Sequence, residues 1–284
     1  MTKPHILQEM IDATAKIARA LPVVGFLNIQ FAEQNGLLYI LEVNPRASRT
    51  VPFLSKASGV SLIETGVRVW LGEDLKKQGL VDASTGIGVG ECLTGWAVKE
   101  AVFSFDRFQD LDPVLGPEMK STGECMGTGA SFGEAYAKAQ AGVGTQLPTK
   151  GTVFVSVHDL DKDSILPIVK DLVVLGFSVT ATPGTAEFLK GKGVSAQTIQ
   201  KIQNGHPNII DHLRSGQVNL LINTPKGRYS HSDDASIRVE AIRKKIPYTT
   251  TVSAARATVE GIKYLAKKEY VVRPMPNLNG PLNY

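Results

Sequence analysis

Two cysteines in 284 residues, Cys92 and Cys125, cannot build a disulfide framework, and their spacing suits no metal site. Such thiols fit a reducing compartment. Long apolar runs are missing too: no stretch of about 18 consecutive apolar residues occurs, and the opening Met1-Thr2-Lys3-Pro4 has no apolar signal core. A soluble, cytoplasmic protein without a membrane partner is expected. Histidines are few and scattered, and His5, His158, His206, His212 and His231 form no H-E-x-x-H pair, which argues against a zinc centre. Charge of one sign is also lacking. The 31 basic and 27 acidic residues leave a net charge of +4, too little for a nucleic-acid surface but compatible with small anionic ligands. No internal repeat or low-complexity tract is present.

What the chain does have is apolar substance, 43% hydrophobic residues over a length that suits two ordinary domains. Its chemistry-bearing residues concentrate near the start. Two apolar runs, Val23 to Ala32 and Leu37 to Val43, flank Asn35-Gly36, so a β-hairpin is predicted. Residues two apart on a strand share a face, which sets Gln30 beside Asn28 and Glu42 beside Asn44. With Gln30 opposite Glu42, these four polar groups line one face, and Leu27, Ile29, Phe31, Tyr39, Leu41 and Val43 line the other. A slip of one residue would undo this. Carboxylate and amide oxygens are hard donors, so Gln30, Glu42 and Asn44 are candidate ligands for Mg²⁺ shared with substrate phosphate. Arg46 and Arg49 can hold phosphate oxygens through forked, charge-assisted hydrogen bonds. The same alternation equally suits an edge hairpin with a wet face and two surface arginines.

The runs Asn28-Ile29-Gln30-Phe31-Ala32, Glu42-Val43-Asn44-Pro45-Arg46-Ala47-Ser48-Arg49-Thr50-Val51-Pro52-Phe53 and Ser55-Lys56-Ala57 closely resemble the second ATP-grasp unit of the carbamoyl phosphate synthetase large subunit. So do Leu115-Gly116-Pro117-Glu118-Met119-Lys120-Ser121-Thr122-Gly123-Glu124 and Ala137-Lys138-Ala139-Gln140. The resemblance continues through a methylglyoxal-synthase-like C-terminal domain and covers nearly the whole chain. It implies a glutamine-hydrolysing carbamoyl-phosphate synthase that phosphorylates carbamate with ATP, for pyrimidine and arginine synthesis. Mg²⁺ or Mn²⁺ would sit on Gln30, Glu42 and Asn44, ATP would touch Gln30 and Glu42, and Arg46 and Arg49 would be catalytic. It further implies an oligomer with a glutaminase small subunit. The adenine pocket, the phosphate-covering loop and the nucleotide-binding lysine are expected upstream, in a missing N-terminal part of the large subunit, so this chain alone is expected to be inactive.

Along the chain, Ile6, Met10, Ile11, Ala13, Ile17 and Leu21 recur at helical spacing up to Pro22. A second helix is predicted around Ser61 to Leu71, a flexible loop at Gly86-Ile87-Gly88-Val89-Gly90, a strand at Val98 to Phe105, and a glycine-rich lead from Gly123 to Gly133 into a helix ending near Gln140. Gly142 to Thr149 reads as the linker. The expected division is therefore a partial ATP-grasp lobe over 1–142 and a methylglyoxal-synthase-like domain over 143–284, an α+β piece followed by an α/β piece. In the second, strands at Thr152 to Val157, Phe177 to Thr182 and Val218 to Asn223 are near-continuously apolar. Helices are predicted between and after them near Ser164 to Leu175, Thr185 to Lys190, Pro207 to Arg214, Ser232 to Lys244 and Ser253 to Tyr264. The fold class is a doubly wound parallel sheet.

Ligands of such sheets gather beyond the carboxyl ends of the strands. Thr182 and Thr185 bracket a glycine turn into a helix N-terminus, which favours an anion. Lys162 and Lys201 can add charge, and Asn223 can read a sugar or base edge. Helix caps and solvated lysines would look the same. The resemblance implies an allosteric domain for pyrimidine or purine monophosphates, UMP or IMP, with Ser156, Lys162, Thr182, Gly184, Thr185, Lys201 and Asn223 as contacts. Pro225 departs from the hydroxyl residue often found there. Glu100, Tyr248 and Thr250 match an ornithine site of some relatives, with Thr249 where an aspartate is frequent. Two other readings stand beside the enzyme: a non-catalytic module that binds nucleoside monophosphate, and a free-standing methylglyoxal synthase. The latter would need an acid near Gln203-Asn204-Gly205-His206-Pro207, where none is found.

Overall fold

An amphipathic helix, α1 (Pro4–Ala20), opens the chain, with Pro4 at a position where the missing N–H costs no intrahelical bond. It leads into the antiparallel pair β1 (Asn28–Gln34) and β2 (Leu37–Asn44). Asn35 and Gly36 between them both have positive φ, 55° and 82°, as a tight hairpin turn requires. Helix α2 (Thr50–Ser58) is not among the helices expected from sequence. Pro52 lies in the first turn, where no backbone N–H is needed, and Gly59 closes the helix at φ 73°. Helix α3 (Leu62–Trp70) falls where expected. The Phe26 and Trp70 rings meet edge to face, with centroids 5.8 Å apart, and the Trp70 indole donates to the Val24 carbonyl at 2.9 Å. A side chain on Gly66 would strike the Phe26 ring.

This computed structural model describes residues 3–80, 95–103, 118–200, 202, 205–224, 232–267 and 270–272. The glycine-rich loop at 86–90 lies outside them. Two compact units emerge, Met1–Leu93 and Thr94–Val272, and the expected boundary at residue 142 falls inside the second.

The second unit begins with β3 (Trp96–Phe103) paired antiparallel to β4 (Ser121–Gly129), covered by α4 (Phe132–Gly142). The glycine-rich stretch is thus largely strand and not a loop. Its glycines answer to packing: a Cβ on Gly127 would collide with the Ala135 carbonyl and the Ala139 amide of α4, and one on Gly129 with the side chain of Glu134.

The remainder alternates strand and helix: β5 (Gly151–Ser156), a short 3-10 turn (Asp159–Asp161), α5 (Lys162–Val174), β6 (Phe177–Ala181), α6 (Pro183–Gly191) and β7 (Gln197–Thr198). Then follow α7 (Ile209–Arg214), β8 (Leu220–Asn223), α8 (Ser232–Arg243), β9 (Tyr248–Thr249) and α9 (Val252–Leu265). The five strands are parallel in the order β7-β6-β5-β8-β9. Alternation along β5 sends Val153 and Val155 to one core, with Ile165, Leu172, Leu189 and Ile262, and Phe154 to the other, with Ile209, Leu213 and Ile237. Helices on both faces explain the continuous apolar runs. The strand order leaves β5 in opposite directions toward β6 and β8, so the switch point lies beside Ser156 and Asn223, which are register partners.

Candidate functional site

In the first unit the hairpin register pairs Asn28 with Asn44 and Gln30 with Glu42, the arrangement that puts all four polar side chains on one face. Gln30 and Glu42 are exposed, Asn28 and Asn44 half-buried. A β-bulge follows at once, since Phe31 faces Ile40, leaving Leu41 as the extra residue. The expected apolar face is corrected there. Tyr39 pairs with Ala32 and so shares the face of Gln30, while Ile40 takes the place beside Phe31. A bulge inverts the alternation beyond it, and no local residue type signals it.

Asn44 donates from Nδ2 to Glu42 Oε1 at 2.8 Å. Its carbonyl oxygen is therefore turned from the carboxylate, and an amide flip would bring three oxygens, from Gln30, Glu42 and Asn44, onto one face. That donor set suits a hard divalent cation completed by water and phosphate. Among the described residues no cluster of three or more His, Cys, Asp or Glu offers an alternative. Arg46 follows β2, its backbone N–H bonded to the Asn44 carbonyl at 2.8 Å, and Arg49 caps α2; both are exposed. An open groove of about 510 Å³ beside them takes in Asn28, Arg46, Ser48 and Thr65 and is otherwise lined by apolar groups such as Val51, Leu54, Leu62 and Val69.

In the second unit, Thr182 caps α6 and donates to the Thr185 hydroxyl at 3.2 Å. The Lys162 ammonium lies 3.8 Å from the point a Gly184 Cβ would occupy. Lys162, Thr182, Gly184 and Thr185 thus converge on the first turn of α6, where unpaired N–H groups and the dipole favour an anion. Ser156 ends β5 at the switch point. Lys201 and Pro225 lie outside the described residues, as does the Gln203-Asn204 segment.

Asn223 is buried, and its amide is committed inward. Its Oδ1 accepts from Arg238 Nη1 at 2.6 Å, and its Nδ2 donates to the Ser156 carbonyl at 3.5 Å and to Asp234 Oδ1 at 3.3 Å. Arg238 is fully buried on α8 and was not singled out from sequence, because α8 shows no clear apolar stripe to mark which residues face inward.

Glu100 lies on β3 in the same compact unit as Tyr248 and Thr250. Burial pushes its carboxyl above the usual carboxylate range, partly offset by a hydrogen bond with Gln140. The Tyr136 hydroxyl, 3.1 Å from Thr258 Oγ1, is likewise raised, chiefly by burial and further by the nearby Glu100 charge. Tyr248 packs against the second core, and Thr250 directly precedes the Thr251 cap of α9. One string, Gly129-Ala130-Ser131-Phe132-Gly133, has the G-x-S-x-G form on a strand-to-helix turn. Ser131 is extended, φ −129°, and its oxygen accepts from the Glu134 N–H at 3.3 Å, so it caps α4.

Two family profiles match the chain: "Carbamoyl-phosphate synthase L chain, ATP binding domain" over residues 2–78 and "MGS-like domain" over residues 164–250. The carbamoyl phosphate synthase large chain, C-terminal section, of Aquifex aeolicus is 44% identical over 93% of this chain and 51% of its own length. That of Methanopyrus kandleri is 42% identical over 97% of this chain and 51% of its own. The carbamoyl phosphate synthase large chain of Acidobacterium capsulatum is 44% identical over 97% of this chain and 25% of its own. The chain therefore spans about half the length of the C-terminal sections and about a quarter of the full large chain that it matches.

Proposed function

We propose, from the premise that the chain belongs with the C-terminal part of carbamoyl phosphate synthase large chains, that it supplies one wall of an ATP-dependent carbamate-phosphorylating site together with a nucleotide-sensing domain. The observation that carries the reading is the pairing of Gln30 with Glu42, which assembles the oxygen donors of the hairpin on one face.

On this reading Gln30, Glu42 and Asn44 hold Mg²⁺ or Mn²⁺ with the ATP polyphosphate, and the ion when bound offsets phosphate charge. Arg46 and Arg49, exposed after the end of that strand, stabilise the charge on the phosphoryl group in transfer. Positioning does most of the work in such chemistry. The product would serve pyrimidine and arginine synthesis in the cytoplasm.

Phosphoryl transfer needs a second wall for adenine and phosphates, so the chain by itself makes no carbamoyl phosphate. The rest of the ATP-grasp domain would supply that wall, and a glutaminase small subunit would deliver ammonia. In support, the first unit exposes large apolar side chains on α1, β2, α2 and α3 and in the loops beside them, among them Leu41 at 63%, Trp70 at 58% and Leu71 at 82%.

The second unit would bind a nucleoside monophosphate such as UMP or IMP, its phosphate on Lys162, Thr182, Thr185 and the α6 terminus, with Lys201 adding charge, Ser156 and Gly184 completing the site, and the buried Asn223 bracing the strand ends behind it. Ornithine at Glu100, Tyr248 and Thr250 is the corresponding proposal for the β3 region. A non-catalytic nucleotide-binding module is the second reading, favoured by the two buried cores of the second unit. Calorimetry with UMP and IMP tests the nucleotide site. Binding that weakens with salt and in Lys162→Ala supports it, and absence of heat with both rejects it.

A further inference from the structure

Lys162 already has an anion. Its ammonium pairs with Asp159 Oδ1 at 2.8 Å, and the two ends of this pair are unequal: the Lys162 side chain is 18% exposed and that of Asp159 is 81% exposed. The lysine lies against α6, beside its first turn and over the Phe188 ring, whose centre is 5.9 Å from Nζ. The aspartate sits on the solvent side, on the three-residue turn that precedes α5. A fixed cation whose internal partner faces water can exchange that partner for a ligand.

We infer that Asp159 is the resident counter-ion of Lys162, displaced when a phosphoryl group binds, and so sets the affinity of the nucleotide site. This rests on the regulatory reading given under Proposed function and adds to it a residue that opposes binding. The exchange is uneven. A phosphate monoester carries −1.5 to −2 charges at neutral pH and can also accept from Thr182, Thr185 and the first N–H groups of α6. A carboxylate ligand brings no more charge than Asp159 already does. The device therefore selects doubly charged phosphoryl groups over carboxylates.

The test is calorimetric titration of the whole chain with UMP, IMP and inorganic phosphate, comparing wild type with Asp159→Asn, Asp159→Ser and the control Asp161→Asn on the same turn. Because the Asp159 side chain faces solvent, both neutral forms should fold, which circular dichroism checks. An exposed pair of this kind is worth little, so the expected gain is roughly three- to fivefold tighter binding in both Asp159 variants, shrinking with salt, and little change in Asp161→Asn. Binding by wild type that both Asp159 variants leave unchanged or weaken overturns the inference and leaves the nucleotide site standing. If wild type binds none of the three phosphates, the site itself fails, and the inference falls with it.

Discussion

Gln30 faces Glu42 across the β1–β2 hairpin, one residue before a bulge breaks the register. The polar face is thereby confined to the part of the hairpin that runs into Arg46, and the turn end carries Tyr39 and Leu37 in its place. Titrating the chain with Mn²⁺ in the presence of ADP should broaden the backbone amide resonances of residues 28–30 and 42–44 before any others. Broadening that begins elsewhere would remove the metal from this face.

Gly127 is a packing residue. Its missing side chain lets α4 lie directly on β4, and Gly127→Ala forces backbone against backbone. The expected cost is about 2 kcal/mol or more, read as a fall in the denaturation midpoint. Gly144→Ala is the contrast, since φ there is 84° with open space around it; its cost, from backbone conformation alone, is about 1 kcal/mol.

Glu100 makes stability depend on pH in a definite direction. Its folded pKa is raised by burial, so the native state binds the proton more tightly than the unfolded chain does. Stability is then highest below the unfolded carboxylate pKa and declines as pH rises through it toward the folded value. Glu100→Gln should stabilise the protein at neutral pH and lose that advantage in acid. A variant equally or less stable at pH 7 would show that the carboxylate is better solvated or paired than its burial indicates.

Arg238 and Asn223 tie α8 to the strand ends. Arg238→Met leaves Asn223 without its charged donor in a buried place, an expected loss of about 3 kcal/mol measurable by urea unfolding. A loss below about 0.5 kcal/mol would mean that the network is dispensable.

Much of this was legible in the sequence. Asn35-Gly36 marked the turn, but the turn alone would set Gln30 opposite Leu41; the bulge moves it opposite Glu42, the register the polar pattern required. The near-continuous apolar strands betrayed a sheet covered on both faces. What was not legible depends on contacts distant along the chain. Gly123 to Gly129 read only as a glycine-rich lead into a helix because glycine is poor in strands, and the approach of α4 explains Gly127 and Gly129. Helix α2 went unread; Pro52 fits it because it lies in the first turn, where no backbone N–H is needed. The two-residue edge strands β7 and β9 are too short to show alternation. Arg238 reads as a surface residue, and its burial follows from the packing of α8 over β8.

The most direct test of the central claim replaces the matching segment of the Aquifex aeolicus C-terminal section with this chain and measures carbamoyl phosphate formed from ATP, bicarbonate and ammonia. The chimera should be active where the isolated chain is not, and Glu42→Ala in it should lower the rate at least about a hundredfold, equivalent to roughly 2.7 kcal/mol in the barrier. A folded, active chimera whose rate changes less than about threefold on Glu42→Ala, or sustained synthesis by the isolated chain free of contaminating synthetase, would contradict the account.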